Sequence, residues 1–329
     1  MKMNDPWSAL HATLHQTLRD RALLPPKSRI LIAVSGGQDS LCLAQLLLDL
    51  QRHWAWQLAI VHCDHGWRSD SEQNAEHIAL LATTWGLPFL VHDAHSDVST
   101  EAKAREWRYT CFQTSAQDGN YSHIVTGHTA SDRAETLLYN LVRGSGSDGL
   151  QALQWQRKLT PNLWLVRPLL AFSRQQTGDF CSERSLPVWL DSTNEDLRYD
   201  RNRIRHQILP QLRDGLNSRV ELHLAQTAEI LHAEVTYLEQ QVDELYAQIV
   251  QADSSGDLHL DRTLAASLPI ALQRRLLRRF FLTALRFSPT FDQIESCLSL
   301  FTAPNRTASA SLTRGYRLEG QQDWLVITR

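Results

Sequence analysis

Residues 35–40 read Ser-Gly-Gly-Gln-Asp-Ser, between an apolar run and an apolar helical stretch. Two adjacent glycines let backbone N–H groups approach an anion, and the N-terminus of the following helix adds partial positive charge. The loop lacks the lysine of a Walker loop, GxxxxGK followed by Ser or Thr. A tight corner with Asp39 or Ser40 capping the helix would use the same residues. Its place behind the first strand of a parallel sheet, where open α/β sheets put ligands, favours a phosphate site formed by Ser35, Gly36, Gly37, Gln38, Asp39 and Ser40.

Other constellations carry chemistry of their own. Asp132 and Glu135 share a face at the start of a helix; helix-dipole pairing is one use for such acids, and holding Mg²⁺ beside a bound phosphate with hard oxygens is another. His62, Asp64 and His65 have metal-ligand atoms, but no further ligand cluster accompanies them, so they read as a polar loop at the mouth of the sheet, whose buried polar groups bond to each other. Arg105, Arg108 and Tyr109 fall on one helical face, open to substrate or to a weak Glu101–Arg105 pair. Arg198, Arg201, Arg203 and Arg205 crowd around Asn202, where guanidinia could stabilise a transition state or meet RNA phosphates. Arg274, Arg275, Arg278 and Arg279 form two i,i+4 pairs that suit either RNA or a solvated face.

These residues need elements to position them. Apolar runs at 29–34, 57–63, 88–92 and 123–127 read as buried strands, with helical stretches at 40–52, 71–85, 100–117 and 132–143. Such alternation predicts an α/β domain, a parallel sheet covered by helices on both faces. An amphipathic helix at 7–24 precedes it, and Pro25-Pro26 ends that helix. Leu224, Ala228, Leu231, Val235, Leu238, Val242, Leu245 and Ile249 make one seam along a long helix that Ser254-Ser255-Gly256 stops. Two helices at 268–301 and short strands with turns at Arg314-Gly315 and Gly320 complete a small mixed α+β domain. The expected division is 1–215, a linker helix at 216–254, and 255–329.

Composition excludes several classes. With 329 residues, 43% hydrophobic and 21% charged, the chain can build two cores and is not disordered. A net charge of -3 argues against indiscriminate coating of nucleic acid, although nearly all basic residues are arginine, which hints at local anion recognition. Five dispersed cysteines without a CxxC argue against a zinc ribbon or a disulfide framework. No leader or membrane span is legible, so a soluble cytoplasmic protein with no membrane partner is expected.

The string SGGxDS is also the pyrophosphate-binding loop of the PP-loop ATP pyrophosphatases, an adenine nucleotide alpha hydrolase-like fold. "HCDHGWR" (62–68), "AREWRY" (104–109), "GHTASDRAET" (127–136), "RGSGSDGLQAL" (143–153), "VRPLL" (166–170) and "DSTNEDLRYDRNRIRHQILP" (191–210) follow in order. Over residues 28–215 the chain resembles the tRNA(Ile)-lysidine synthases, in a short form without the extra C-terminal domain. That resemblance implies a ligase that uses ATP and Mg²⁺, with L-lysine and the tRNA(Ile) bearing a CAU anticodon as substrates, and it allows a homodimer. It implies ATP binding by the first loop, Mg²⁺ on Asp39 and Asp132, and catalysis by Asp39, Asp132 and Arg205. It implies substrate contacts from His62, Asp64, His65, Arg68, Arg105, Arg108, Tyr109, His128, Glu135, Asp191, Asn194, Arg201 and Asn202. Glu135, one turn from Asp132, is expected to grip lysine. The chain departs from the family at Ser131, where a first acid is usual, at Thr129, where a second histidine is common, and at Thr193 in place of a serine. A PP-loop thiolation enzyme or a non-catalytic adenine-nucleotide module are the alternatives. The module would need neither the acid and arginine clusters nor a second domain, and thiolation would normally require cysteines placed at the site.

Overall fold

A computed structural model describes residues 7–67, 70–94, 100–189 and 196–329, the side chain at 101 excepted. The chain divides into two compact units, Met1–His232 and Ala233–Arg329.

The first unit holds a six-stranded sheet of β1 (Arg29–Ala33), β2 (Gln57–Asp64), β3 (Phe89–Asp93), β4 (His123–Thr126), β5 (Gln156–Thr160) and β6 (Leu163–Val166), in the order β3-β2-β1-β4-β6-β5. All neighbouring pairs are parallel except β5 with β6. Its helices are α1 (Ala9–Asp20), α2 (Gln38–Trp54), α3 (Ser71–Trp85), α4 (Glu101–Asp118), α5 (Ala130–Val142), α6 (Ser147–Leu150), α7 (Arg174–Glu183), α8 (Asp200–Arg203) and α9 (Leu209–Gly215). Successive strand residues point to opposite faces. Accordingly, Ile30 and Ile32 join the core under α1, α2 and α7, while Leu31, Ala59, Val61, Ile124 and Leu165 pack with Phe112 of α4 on the other face. Both faces are covered, as the strand-helix alternation predicts. The β5–β6 hairpin was not legible, because β5 reads Gln-Arg-Lys-Leu-Thr, an edge strand with polar residues facing water.

Order along the sheet reverses at β1, whose neighbours are β2 on one side and β4 on the other. Ligand crevices in open α/β sheets form at the carboxyl end of such a switch point. The Ser-Gly-Gly loop leaves the end of β1, and Gly127-His128 leaves the end of β4.

The predicted long helix is α10 (Val220–Ile249), along which the chain passes from the first unit into the second. The second unit adds β7 (Val250–Ala252), β8 (Leu258–Asp261), α11 (Arg262–Ala266), α12 (Ile270–Leu285), α13 (Phe291–Leu298), β9 (Arg317–Gln321) and β10 (Trp324–Thr328). Its antiparallel sheet has the order β7-β8-β10-β9. Leu276, Leu277, Phe280 and Phe281 of α12 are buried against Ile294 and Cys297 of α13 and against Leu260, Leu318 and Leu325 of the sheet. Ser254-Ser255-Gly256 turns the β7–β8 hairpin rather than simply ending a helix. The turn placed at Gly320 lies instead at Gln322, with φ 55; Gly320 is inside β9. No helix among the described residues is long and apolar enough to cross a membrane.

Candidate active site

Gly36 has φ +92, a left-handed conformation that favours glycine, and a Cβ there would collide with the Asn74 amide. Asn74 is buried on α3 and donates to Ser35 O at 3.0 Å, while the Trp189 N–H reaches Gly36 O at 3.0 Å. Ser40 Oγ donates to Gly37 O at 2.8 Å and accepts from the Ser35 N–H at 3.2 Å. The loop is therefore held from outside and folded on itself, with Gly37 as the N-cap of α2. Gly127 approaches so closely that a Cβ would lie 2.8 Å from Asp39 C and O. A side chain at 127 would push the loop out of place.

Asp39 stands in the first turn of α2. Its Oδ1 accepts from the Thr177 hydroxyl, and Oδ2 lies 3.5 Å from Arg174 NH1, both partners being on α7. Burial pushes its carboxyl up and the charge of Asp132 adds to that, against Arg174 and Thr177, which pull it down. Asp132 Oδ2 accepts from the Thr129 N–H at 2.8 Å and the Thr129 hydroxyl at 2.9 Å, a capping box at the head of α5. Thr129, one of the family departures, is thus the residue that fixes Asp132. Burial opposes ionisation of Asp132, but His128, Arg201, Arg205 and the Thr129 N–H together hold its carboxyl below the usual range.

Arg205 joins the two acids of α5. Its Nε and NH2 meet Glu135 Oε1 and Oε2 at 2.6 and 2.8 Å, and NH2 lies 3.2 Å from Asp132 Oδ1. Arg201 Nε donates to Glu135 Oε2 at 3.2 Å, and its NH2 lies 3.6 Å from Asp132. A π-helical turn, Ile204–Ile208, follows α8 and carries Arg205; such bulges recur at functional sites. Glu135 is buried with both oxygens engaged, so a lysine ammonium reaching it would have to displace a guanidinium. A cavity of about 1120 Å³ borders this cluster, lined by Gln38, Ser131, Glu135, Arg174, Arg205 and Glu221 among others.

The residues flanking Asp132 are tied to the start of α10. The Ser131 hydroxyl donates to Glu221 at 2.6 Å, and Arg133, almost wholly buried, donates to Glu229 at 2.7 Å. Glu229 also accepts from Trp155 Nε1 at 2.8 Å and pairs with Arg21 at 2.8 Å. Where the family pattern has an acid at 131, a carboxylate arrives from Glu221 instead.

The remaining predicted residues are spread along the same sheet edge. His62 is buried and bonded to Val34 O at 2.8 Å, which spends its Nδ1 on structure. Asp64 accepts from the Gly66 N–H at 2.8 Å and shapes its loop. His65 lies among Trp67 and Trp107, where burial and then Arg108 bring its pKa down to about 4. His128 is bonded to Thr126, and burial brings it down to about 3, with Arg167, Arg201 and Arg105 working in the same direction against Asp132. Arg105 stacks over Tyr109 at 5.6 Å. Asn202 donates to Asp196 O at 2.9 Å, a local tie. Arg68, Asp191, Asn194 and the Thr193 departure lie outside the described residues. Among the described residues no group of three or more His, Cys, Asp or Glu could hold a metal ion. Two carboxylates with phosphates and waters are what Mg²⁺ ordinarily takes, so Asp39 and Asp132 fit that hard cation.

Sequence reasoning missed Arg174, Thr177, Arg167, Glu221 and Asn74. Asn74, Arg174, Thr177 and Glu221 belong to no motif and reach the site from α3, α7 and α10. A signal existed only at Arg167, inside "VRPLL".

Residues 8–212 match the family model described as a PP-loop domain. The chain is 50% identical over 332 residues to a tRNA(Ile)-lysidine synthase of a Nostoc species, covering 98% of this chain and 97% of that one. It is 35% identical to a chloroplastic tRNA(Ile)-lysidine synthase of Zygnema circumcarinatum, covering 91% and 82%. Among solved structures, a U34-tRNA thiolase of Methanococcus maripaludis superposes with a TM-score of 0.58 over 68% of this chain and 80% of that one, at 14% identity, which speaks for the fold alone.

Proposed function

The chain belongs to the tRNA(Ile)-lysidine synthase family, and from that membership we propose how its first unit carries out the reaction. The enzyme forms lysidine on tRNA(Ile) at the expense of ATP. The oxygen on C2 of the CAU wobble cytidine attacks the α-phosphorus, and pyrophosphate leaves. The ε-amine of lysine, its proton lost, then adds to C2, and AMP departs carrying the former C2 oxygen. A carbonyl oxygen is a poor leaving group and AMP is a good one, which is why activation comes first.

The observation that carries this reading is the placement of Asp39 and Asp132 at the head of two helices beside a glycine loop at the sheet's switch point. The loop N–H groups and the α2 N-terminus receive the pyrophosphate portion of ATP. Asp39 and Asp132 would hold Mg²⁺, which supplies charge neutralisation on the phosphates. Arg205, fixed by Glu135, presents a guanidinium to the negative charge that develops during transfer. Lysine enters by the cavity on the Glu135–Glu221 side, where carboxylates and guanidinia suit an amino acid with a second ammonium. The second unit serves tRNA binding.

ATP, labelled lysine and bulk tRNA test the reading together. AMP and pyrophosphate appear, and the label survives mild alkali because it sits on a base rather than in an aminoacyl ester. ADP and phosphate as the main products would remove the assignment.

A further inference from the structure

Arg167 follows β6 at the same sheet edge as the glycine loop, and only 3% of it is exposed. One of its nitrogens donates to Gln154 O at 2.8 Å, the Tyr109 hydroxyl lies within hydrogen-bonding reach, and Nε is buried without a partner. A buried guanidinium normally sits against a carboxylate, because an uncompensated buried charge costs several kcal/mol. Here its charged neighbours are further arginines, Arg157 and Arg105. The Arg157 guanidinium lies 5.2 Å from the centre of the Tyr109 ring, and that of Arg105 lies 5.6 Å from it. Among the described residues no carboxylate pairs with Arg157 or Arg167. The phenol between them is the one acidic group within the cluster; burial raises its pKa, but the three arginines outweigh that and bring it below its usual value. Even a phenolate would leave the cluster short of negative charge.

We propose that Arg157, Arg167 and Arg105, gathered around Tyr109, form a phosphate subsite that receives a backbone phosphodiester of the RNA substrate. The identity of that RNA rests on the lysidine-forming reading above; the need for an anion does not. Position separates this subsite from the nucleotide. The glycine loop leaves β1, whereas Arg167 leaves β6, two strands away, and Arg157 is on β5, three strands away. At ~4.8 Å per strand that is roughly 10–14 Å across the sheet. β5 is the edge strand and Arg157 is exposed, so the cluster opens toward solvent, where a long polyanion can reach it. Its inner member, Arg167, acts together with Arg105 on His128, at the end of β4 between the loop and the cluster. A nucleotide base placed over β4 could thus have its reacting oxygen toward the loop and its phosphate toward Arg157.

Arg157→Gln in the full chain tests this, since an exposed edge-strand position leaves the fold intact. Lys158→Gln is the control: it removes an equal charge from the adjacent residue, whose side chain turns to the other face of β5 and lies over Trp164. Affinity for tRNA is measured across a range of salt. Arg157→Gln should weaken binding several-fold and lower the slope of log affinity against log salt by ~0.7–0.9, the release of about one phosphate's counterion. ATP affinity without tRNA should stay as in the wild type, and Lys158→Gln should leave the slope unchanged. An unchanged slope in Arg157→Gln, or equal losses in both variants, would overturn the subsite. A loss of ATP affinity with the RNA slope intact would overturn it in favour of a nucleotide phosphate. Lysine incorporation by the wild type reports separately on the ligase reading, so the two can fail independently.

Discussion

Two sets of arginines look alike in sequence and differ in what surrounds them. On α12, Arg274 pairs with Glu295, Arg275 with Glu239, and Arg279 with Glu239 and Asp243. Those acids are a third or more exposed, so water reaches each pair, although Arg275 itself is only 11% exposed. In the first unit, Arg201 and Arg205 share Glu135, whose side chain is 2% exposed, and Arg167 has no carboxylate among the described residues. Arg201 and Arg205 stand four residues apart, as do Arg274 with Arg278 and Arg275 with Arg279, while Arg167 comes from a separate stretch. Spacing places a guanidinium on a face, and the chain that folds against that face decides whether its charge is spent. Arg274, Arg275 and Arg279 are matched by acids that water reaches, whereas the cleft retains positive potential for a substrate.

The comparison is broken most severely by removing an acid at the centre of the cleft. Asp39→Ala should lower AMP formation by roughly 10⁴-fold, about 5 kcal/mol of transition-state stabilisation. The fold should remain, since the residue stands at a loop-to-helix junction and most of its contacts are to Arg174 and Thr177. Product analysis beside a circular-dichroism spectrum settles it; a folded variant with normal turnover would reduce Asp39 to a helix cap.

Next in size is the border of the first unit. Arg133 is buried and pairs with Glu229, on the segment of α10 that belongs to the first unit. A fragment ending at 215 lacks that acid, and leaving a buried guanidinium unpaired costs about 3–4 kcal/mol. A fragment ending at 232 keeps it. Urea melts of both should show the shorter one much less stable. Equal midpoints would mean that α10 lends nothing to the helix bearing Asp132.

The strands apolar on both faces, the glycine loop and the single seam of α10 were legible because one physical constraint, burial or backbone approach, dictates their residues locally. The β5–β6 and β7–β8 hairpins were not, since their outer strands are short, polar and paired on one side only. Within the candidate site, the shared face of Asp132 and Glu135 could be read from local spacing, while Asp39 and Arg205 stood out through the family motifs that hold them. Arg174, Thr177, Glu221 and Glu229 could not, because each acts on a residue at least 90 positions away. Arg167 was readable as part of a motif, but that it lacks an acid is visible only when its neighbours are in place.

Glu135→Gln sharpens the contrast from inside the cleft. The side chain keeps its shape but loses the charge that holds Arg205 and Arg201, a change worth about 1.5–3 kcal/mol for hydrogen bonds to charged groups. Adenylation of tRNA and the lysine step should fall together, by about tenfold or more, because the misplaced guanidinium serves the first step. Single-turnover measurements separate the steps. A rise in the lysine requirement with adenylation intact would instead show that the ammonium displaces an arginine and that Glu135 grips the amino acid.

The smallest effect belongs to α12. Arg279 is about one-third exposed and shares its acids with water and, at Glu239, with Arg275. Exposed pairs of this kind contribute ~0–1 kcal/mol, less as salt screens them, so Arg279→Gln should shift the melting of the full chain only slightly. If its charge is spent on Glu239 and Asp243, removing it takes no phosphate contact away, and the salt slope of tRNA binding should match the wild type. A slope lowered by ~0.7–0.9, as for one lost phosphate, would mean that RNA displaces the acids from Arg279 on binding. In that event the two sets of arginines would differ only in when they are freed.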